Sequence, residues 1–294
     1  MNNFKELNDE LKKIRKNVLI GGPGIVLMSI IAIMLSAIES NITKIFAIFA
    51  AILLFGSMFL LGSGLSRFYK LRKTFKEKYI KKMIEEIIPG SKYNPNDGIN
   101  LEPVKTSGLY AYPDRWHSED LITGNIEDVQ FITSDLVLEE RHETHTKEGT
   151  EVYYVAYFTG RFFRFEFNKE FEGKLFVMEG KPYNLGGAKK VELESEIFNK
   201  KFKTFSVNDL SAFYVLTPHM MESILNLEKN NKGALAFSFD SRYLYFAVNN
   251  SIDTFELSLW HDLSEQDIEN YKKDINLIFD IVKELRLNVK IFKK

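Results

Sequence analysis

The sequence predicts an α+β protein: a two-helix N-terminal transmembrane hairpin followed by a mainly antiparallel-sheet soluble domain with a C-terminal helix. Three observations predict it. Two long uncharged apolar runs lie near the N-terminus, hydrophobic spacing shifts toward a period of two beyond residue 100, and an apolar stripe at helical spacing closes the chain.

The runs VLIGGPGIVLMSIIAIMLSAI (Val18 to Ile38) and IFAIFAAILLFGSMFLLGSGL (Ile45 to Leu65) each hold twenty-one residues without a charge. About 20 apolar residues cross a bilayer as a helix, whereas a soluble core helix of that length needs a polar face. A signal peptide fits the first run poorly. Its apolar region is only about 7 to 15 residues long and ends at small residues, unlike Glu39-Ser40-Asn41. Gly21, Gly22, Pro23 and Gly24 would break a helix in water. In a bilayer they let a neighbouring helix approach closely, and the second run is the expected neighbour.

Only Glu39 to Lys44 joins the two runs, so both termini share one compartment. Lys12, Lys13, Arg15 and Lys16 precede the hairpin, Arg67, Lys70, Arg72, Lys73, Lys76 and Lys78 follow it, and the loop holds Lys44 alone. By the positive-inside rule the termini are cytoplasmic and the loop external. The same basic clusters serve as topology signals and could also contact anionic headgroups. Phe4, Leu7, Leu11, Ile14 and Val18, and Phe68, Leu71, Phe75, Tyr79 and Met83, recur at spacings of three and four. They predict amphipathic juxtamembrane helices over 1–17 and 66–90, free to pair, to lie on the headgroups or to dock on the soluble domain.

The turn residues Pro89-Gly90 and Tyr93 to Gly98 introduce a soluble domain over 100–294. RHETHTKEGTEVYYVAYFTGRFFRFEF reads as a long hairpin turning at Lys147-Glu148-Gly149. Phe163, Phe165 and Phe167 alternate with Arg164, Glu166 and Asn168, as a sheet with one buried face demands. Thr217-Pro218 starts a helix through Met221, Ile224, Leu225 and Leu227; strands Ala234–Phe239 and Arg242–Val248 follow. Ser264 with Asp267 caps a terminal helix carrying Ile268, Tyr271, Ile275, Ile278, Val282 and Leu285.

No alternation of strands and helices suggests a nucleotide-binding Rossmann fold. Walker, GxSxG and GxGxxG patterns are absent, and Gly186-Gly187 before Lys189-Lys190 does not match a phosphate loop. The 294 residues contain no cysteine, which excludes disulfides, thiolate catalysis and cysteine-bound metal. A net charge of -1 and the lack of a basic stripe argue against nucleic acid. His142 and His145 are three apart in an expected strand, so they face opposite ways and do not form a zinc pair. No cofactor or metal is expected.

The densest set of reactive side chains is RWHSEDLITG, residues 115–124. Adjacent residues rarely make a nucleophilic triad, whose members converge from separate elements. One reading is structural: Ser118 or Asp120 bonds turn amides and Gly124 supplies a positive φ. The other is a ligand or phosphate site formed by Arg115, His117, Glu119 and Asp120.

SEDLITG, YFTGRFFRFEFNKEFEGKLFVMEG, FYVLTPHMMESILNLEKNNKGALAFSF and the Phe255-Glu256 pair together resemble an uncharacterised family of bacterial membrane proteins, the domain-of-unknown-function family numbered thirty-one thirty-seven. The resemblance spans most of residues 100–260. It implies two spans before a cytoplasmic domain in the inner membrane, no established activity, and a LemA-like membrane protein as a possible partner. The expected role is an interaction or regulatory module displayed at the membrane. A membrane-tethered enzyme or small-ligand sensor using residues 115–124 is the alternative.

Overall fold

The computed structural model describes residues 2–36, 38, 40–147, 149–166 and 173–288. The chain divides into two compact units, Met1–Tyr79 with Glu256–Asn270, and Ile80–Phe255 with Tyr271–Lys294.

The first unit is built on α1 (Asn2–Ser36) and α2 (Asn41–Thr74). Helix α1 runs through Pro23 without ending. Ser40 starts α2 with a capping box completed by Thr43. The helices pack antiparallel through the small residues noted in the sequence. A Cβ on Gly21 would stand 2.6 Å from the Leu61 amide nitrogen, and one on Gly64 would stand 2.9 Å from Val18. Both helices are long and apolar enough to cross a membrane, and only 11% and 6% of their most apolar stretches is buried. Ile33, Phe55 and Phe59 are among the large side chains left outward, a pattern unsuited to water.

The segment Glu256–Asn270 is bonded along α1 and the end of α2. Asn8 donates to the Leu263 carbonyl at 2.9 Å and accepts from the Leu263 amide at 2.8 Å. Arg15 Nε donates to the Leu259 carbonyl at 2.9 Å, and its Nη2 reaches Asp262 at 3.0 Å. Beyond α2, a π-helical stretch (Phe75–Ile80) carries Lys76, which pairs with Glu256 at 2.6 Å.

The second unit is a sheet of nine antiparallel strands, ordered β1-β2-β3-β4-β9-β8-β5-β7-β6. These are β1 (Lys92–Asn94), β2 (Arg115–Ile126), β3 (Val129–Thr146), β4 (Gly149–Glu166), β5 (Lys174–Met178), β6 (Lys189–Val191), β7 (Lys203–Ser206), β8 (Ala234–Asp240) and β9 (Tyr243–Asn249). Helices α3 (Lys81–Ile87), α4 (Leu101–Ser107), α5 (Glu196–Lys201), α6 (Asp209–Val215), α7 (Pro218–Asn230) and α8 (Glu265–Glu284) complete the order, α8 entering this unit at Tyr271. Thr217 caps α7, and Ser264 with Asp267 forms the expected capping box of α8. The architecture is α+β, as the sequence patterning predicts.

The sheet is buried on both faces at its centre, not on one. Leu136, Phe158, Phe162, Tyr245 and Ala247 join one core with Val104 of α4. On the opposite face Phe163 contacts Phe246 and Phe165, all fully buried. Strand β4 therefore does not alternate simply between core and water, because Phe162 is as buried as its neighbour Phe163. Beyond Leu138 and Ala156 the β3/β4 ribbon leaves the core, and its Val152, Tyr153, Tyr154 and Val155 are exposed. His142 stacks on Tyr153 there, and His145 meets Thr150. Phe167, the Asn168-Lys169 step, Glu39 and Glu148 lie outside the described residues.

Candidate functional site

The segment 115–124 is a strand, not a turn, and it divides its reactive side chains between two environments. Pairing of β2 with β3 runs Arg115↔Glu139 to Glu119↔Asp135, then resumes at Ile122↔Thr133. The extra residue is a β-bulge, and it reverses the sides taken by everything after it. Asp120 sits in the bulge with φ of 58° and is fully buried. The positive φ foreseen at Gly124 falls instead on Asp120. Gly124 is needed for space, since a Cβ there would lie 2.9 Å from the Phe131 ring.

Arg115, His117 and Glu119 stay nearer the surface. Arg115 holds Glu139 through both Nε and Nη2 and lies 4.2 Å over the Tyr154 ring. This bond to Glu139 raises the already high Arg115 value and lowers that of Glu139. His117 Nε2 is 3.7 Å from Glu119. Ser118 donates to the Asp135 carbonyl at 2.8 Å and meets Ser134 at 2.8 Å, fastening the two strands.

Asp120 joins a buried ionic cluster whose other members the sequence reading missed. The Tyr93 hydroxyl on β1 donates to Asp120 Oδ1. Burial, then the Asp120 charge and its hydrogen bond, push the Tyr93 phenol far above its ordinary value, so it stays a donor. Arg161 Nε on β4 donates to Asp135 Oδ1 at 2.8 Å. Asp135 also accepts from the Thr254 amide at 2.8 Å and hydroxyl at 3.0 Å. The Arg161 guanidinium lies 4.7 Å over Phe255, whose ring meets Tyr93 and Tyr271 edge-on. Both Arg161 terminal nitrogens make no hydrogen bond among the described residues. Burial opposes the charge on Arg161, yet the fields of Asp135, Asp120 and Asp274 hold it. Burial pushes Asp135 up against the pull of Arg161 and Thr254, and pushes Asp274 on α8 up to about 6.

Gly160 makes this approach possible. A Cβ there would stand 2.0 Å from the Val248 carbonyl oxygen, beside the strand that leads to Thr254. The signals for these residues are Arg161 directly after Gly160 in an aromatic strand and a lone Asp135 in TSDLVL, both charges placed where a strand core should be.

Beside the cluster a cavity of about 230 Å³ is lined by His117, Glu119, Asp135, Gly160, Ile252 and Asp253, among others. Of the expected ligand residues, His117 and Glu119 line it, whereas Arg115 and Asp120 do not. Carboxylate oxygens of Glu119, Asp120 and Asp253 lie within 4.8 Å of one another, close enough to share a cation. The Tyr93 bond already occupies one Asp120 oxygen. The cluster reads chemically as a charged keystone that ties β1, β2, β3, β4, the segment after β9 and α8.

Residues 156–287 match the family described as "Protein of unknown function (DUF3137)". The matched stretch contains Gly160, Arg161, Thr254, Phe255 and Asp274, and begins after SEDLITG. No curated protein matches the sequence. Among solved structures, the mycobacterial trehalose monomycolate transport factor A, TtfA, superposes with a TM-score of 0.42 at 7% identity, covering 75% of this chain and 99% of that one. That likeness is too weak to carry an argument about this chain.

Proposed function

We propose that this chain is a bacterial inner-membrane protein that presents its α+β unit to the cytoplasm as an interaction or regulatory module. The observation that carries the reading is the outward apolar surface of α1 and α2, which water would not tolerate over such lengths. The basic residues at the Lys12–Lys16 and Arg67–Lys78 ends favour cytoplasmic termini. An anchor of this kind acts by effective concentration and favours partners that are themselves membrane-bound, a LemA-like protein being the first candidate.

Because the chain has no cysteine, single introduced cysteines report topology cleanly. In intact cells an impermeant maleimide is expected to label Asn41→Cys and to reach Lys232→Cys only after lysis. The reverse pattern overturns the orientation, and recovery of the protein in the soluble fraction overturns the anchor. Crosslinking in intact membranes followed by mass spectrometry then tests the partner: a reproducible membrane protein supports the module, and recovery of this chain alone counts against it.

The cavity beside His117 and Glu119 favours a second reading, a small-ligand sensor or enzyme. His117→Ala abolishing the cellular phenotype with no change in melting temperature would support it over the module.

A further inference from the structure

The segment bonded along α1 comes toward the apolar runs at Leu259, and next to it in the chain stands an exposed indole, Trp260. Between the Asn8 and Arg15 contacts α1 advances about 10 Å, at 1.5 Å per residue. Leu263 is held at Asn8 and Leu259 at Arg15, so the strap runs toward Val18, where the uncharged run begins. Leu257, Leu259 and Leu263 are buried beneath it, while Trp260 keeps 54% of its surface exposed. The strap is fixed rather than loose. Asp262 pairs with Arg15 at 3.0 Å and Lys12 at 3.4 Å, and the Trp260 amide donates to Ser258 Oγ at 3.2 Å.

The level of α1 and α2 that the strap reaches carries the residue types of a bilayer boundary. Gly64 packs against Val18, which puts Arg67, one turn further along α2, level with the Lys13 region of α1. Lys13, Lys16, Arg67 and Lys70 are exposed, and Tyr69 is 69% exposed among them. Tryptophan and tyrosine favour the headgroup layer because one end of the ring is apolar and the other donates a hydrogen bond. Lysine and arginine beside them meet anionic phosphates.

We propose that the 258–263 strap is a membrane-interface element, with the Trp260 indole seated among phospholipid headgroups on the basic side of the bilayer, in the same layer as Tyr69. Its occupant is the lipid headgroup layer. This rests on the bilayer placement of α1 and α2 proposed above, and a separate reporter tests that placement.

The chain has two tryptophans, so Trp116→Phe leaves Trp260 as the single emitter. The full-length variant is reconstituted in phosphatidylcholine and phosphatidylglycerol vesicles carrying a nitroxide either on the headgroup or deep in the acyl chain. Trp260 is expected to lose about half its emission or more to the headgroup label and much less to the deep one. A reporter with Trp116→Phe, Trp260→Phe and Phe55→Trp, which places the indole on the outward side of α2, is expected to show the opposite order. Trp260 quenched by neither label, or more by the deep one, while the reporter is quenched from within, overturns the strap alone. A reporter that neither label quenches overturns the bilayer placement and the strap together.

Discussion

Arg161 and Asp135 form an ion pair at 2.8 Å with 5% and 6% of their side-chain surfaces in water. Two charges so deeply placed gain from each other only while both are present, since removing one leaves the other buried without compensation. Asp135→Ala also strips Thr254 of its acceptor for both amide and hydroxyl. The variant is expected to lose about 3–5 kcal/mol of unfolding free energy, whereas Asp135→Leu with Arg161→Met loses less than Asp135→Ala alone. Denaturant unfolding of the full-length protein in non-ionic micelles, followed by circular dichroism, checks the order. Equal midpoints for wild type and Asp135→Ala would show that the pair does not hold the sheet.

The Tyr93–Asp120 bond is the second buried contact of the cluster, and it supplies a test of what the 115–124 segment is for. If Asp120 is structural, Tyr93→Phe and Asp120→Ala each cost about 1–3 kcal/mol by leaving a buried partner unsatisfied. Their double mutant then falls short of the sum, the mark of a direct contact. Unchanged stability in Asp120→Ala with loss of the cellular phenotype would move Asp120 to the ligand-binding role.

The apolar runs, the α7 and α8 caps and the β8/β9 hairpin were legible because each is a local pattern: hydropathy over one helix length, or capping residues three apart. The cluster was not. Counting by twos from Glu119 puts Asp120 on the other face of β2, and only the bulge at Glu119/Ile122 brings it to the side of Arg161 and Tyr93. Its partners stand 27 residues away at Tyr93 and further still at Arg161, a separation that no short window spans. Phe162 misled for a related reason, since alternation within β4 carries no information about a second layer that covers its other face. Arg115 and His117 stand out by composition, whereas the buried charges at Asp135 and Arg161 are the more informative exceptions.

Gly21 and Gly24 set the closeness of α1 and α2. A Cβ at Gly21 would lie 2.6 Å and 2.8 Å from the Leu61 nitrogen and Ser57 oxygen, which are backbone atoms that cannot turn aside. Gly21→Leu is therefore expected to force the helices apart, as small-residue packing in a bilayer requires. Cysteines at Gly24 and Ser57, whose Cβ positions are 3.1 Å apart, report the spacing in a chain without others. Oxidation should bridge them in the otherwise unaltered chain and fail when Gly21→Leu is added. Undiminished bridging would show that the pair tolerates a bulky residue at this crossing.

Asp274 gives the cluster a pH dependence whose sign follows from its burial. Burial raises its carboxyl from 3.8 to about 6, with Arg161 and Lys273 pulling down and Asp135 pushing up. The folded state then binds the proton more tightly than the unfolded chain. The stability that this proton contributes is complete below the unfolded value, declines as pH rises between about 4 and 6, and is gone above the folded value. A shift of this size corresponds to at most about 3 kcal/mol, reduced by the partial exposure of the group. Asp274→Asn cannot titrate, so its unfolding free energy should pull ahead of wild type as pH rises through this window and keep a constant lead above it. Melting of both full-length proteins at pH steps from 4 to 8 measures the difference. Parallel curves would mean that the Asp274 carboxyl ionises no less readily in the folded protein than in the unfolded chain.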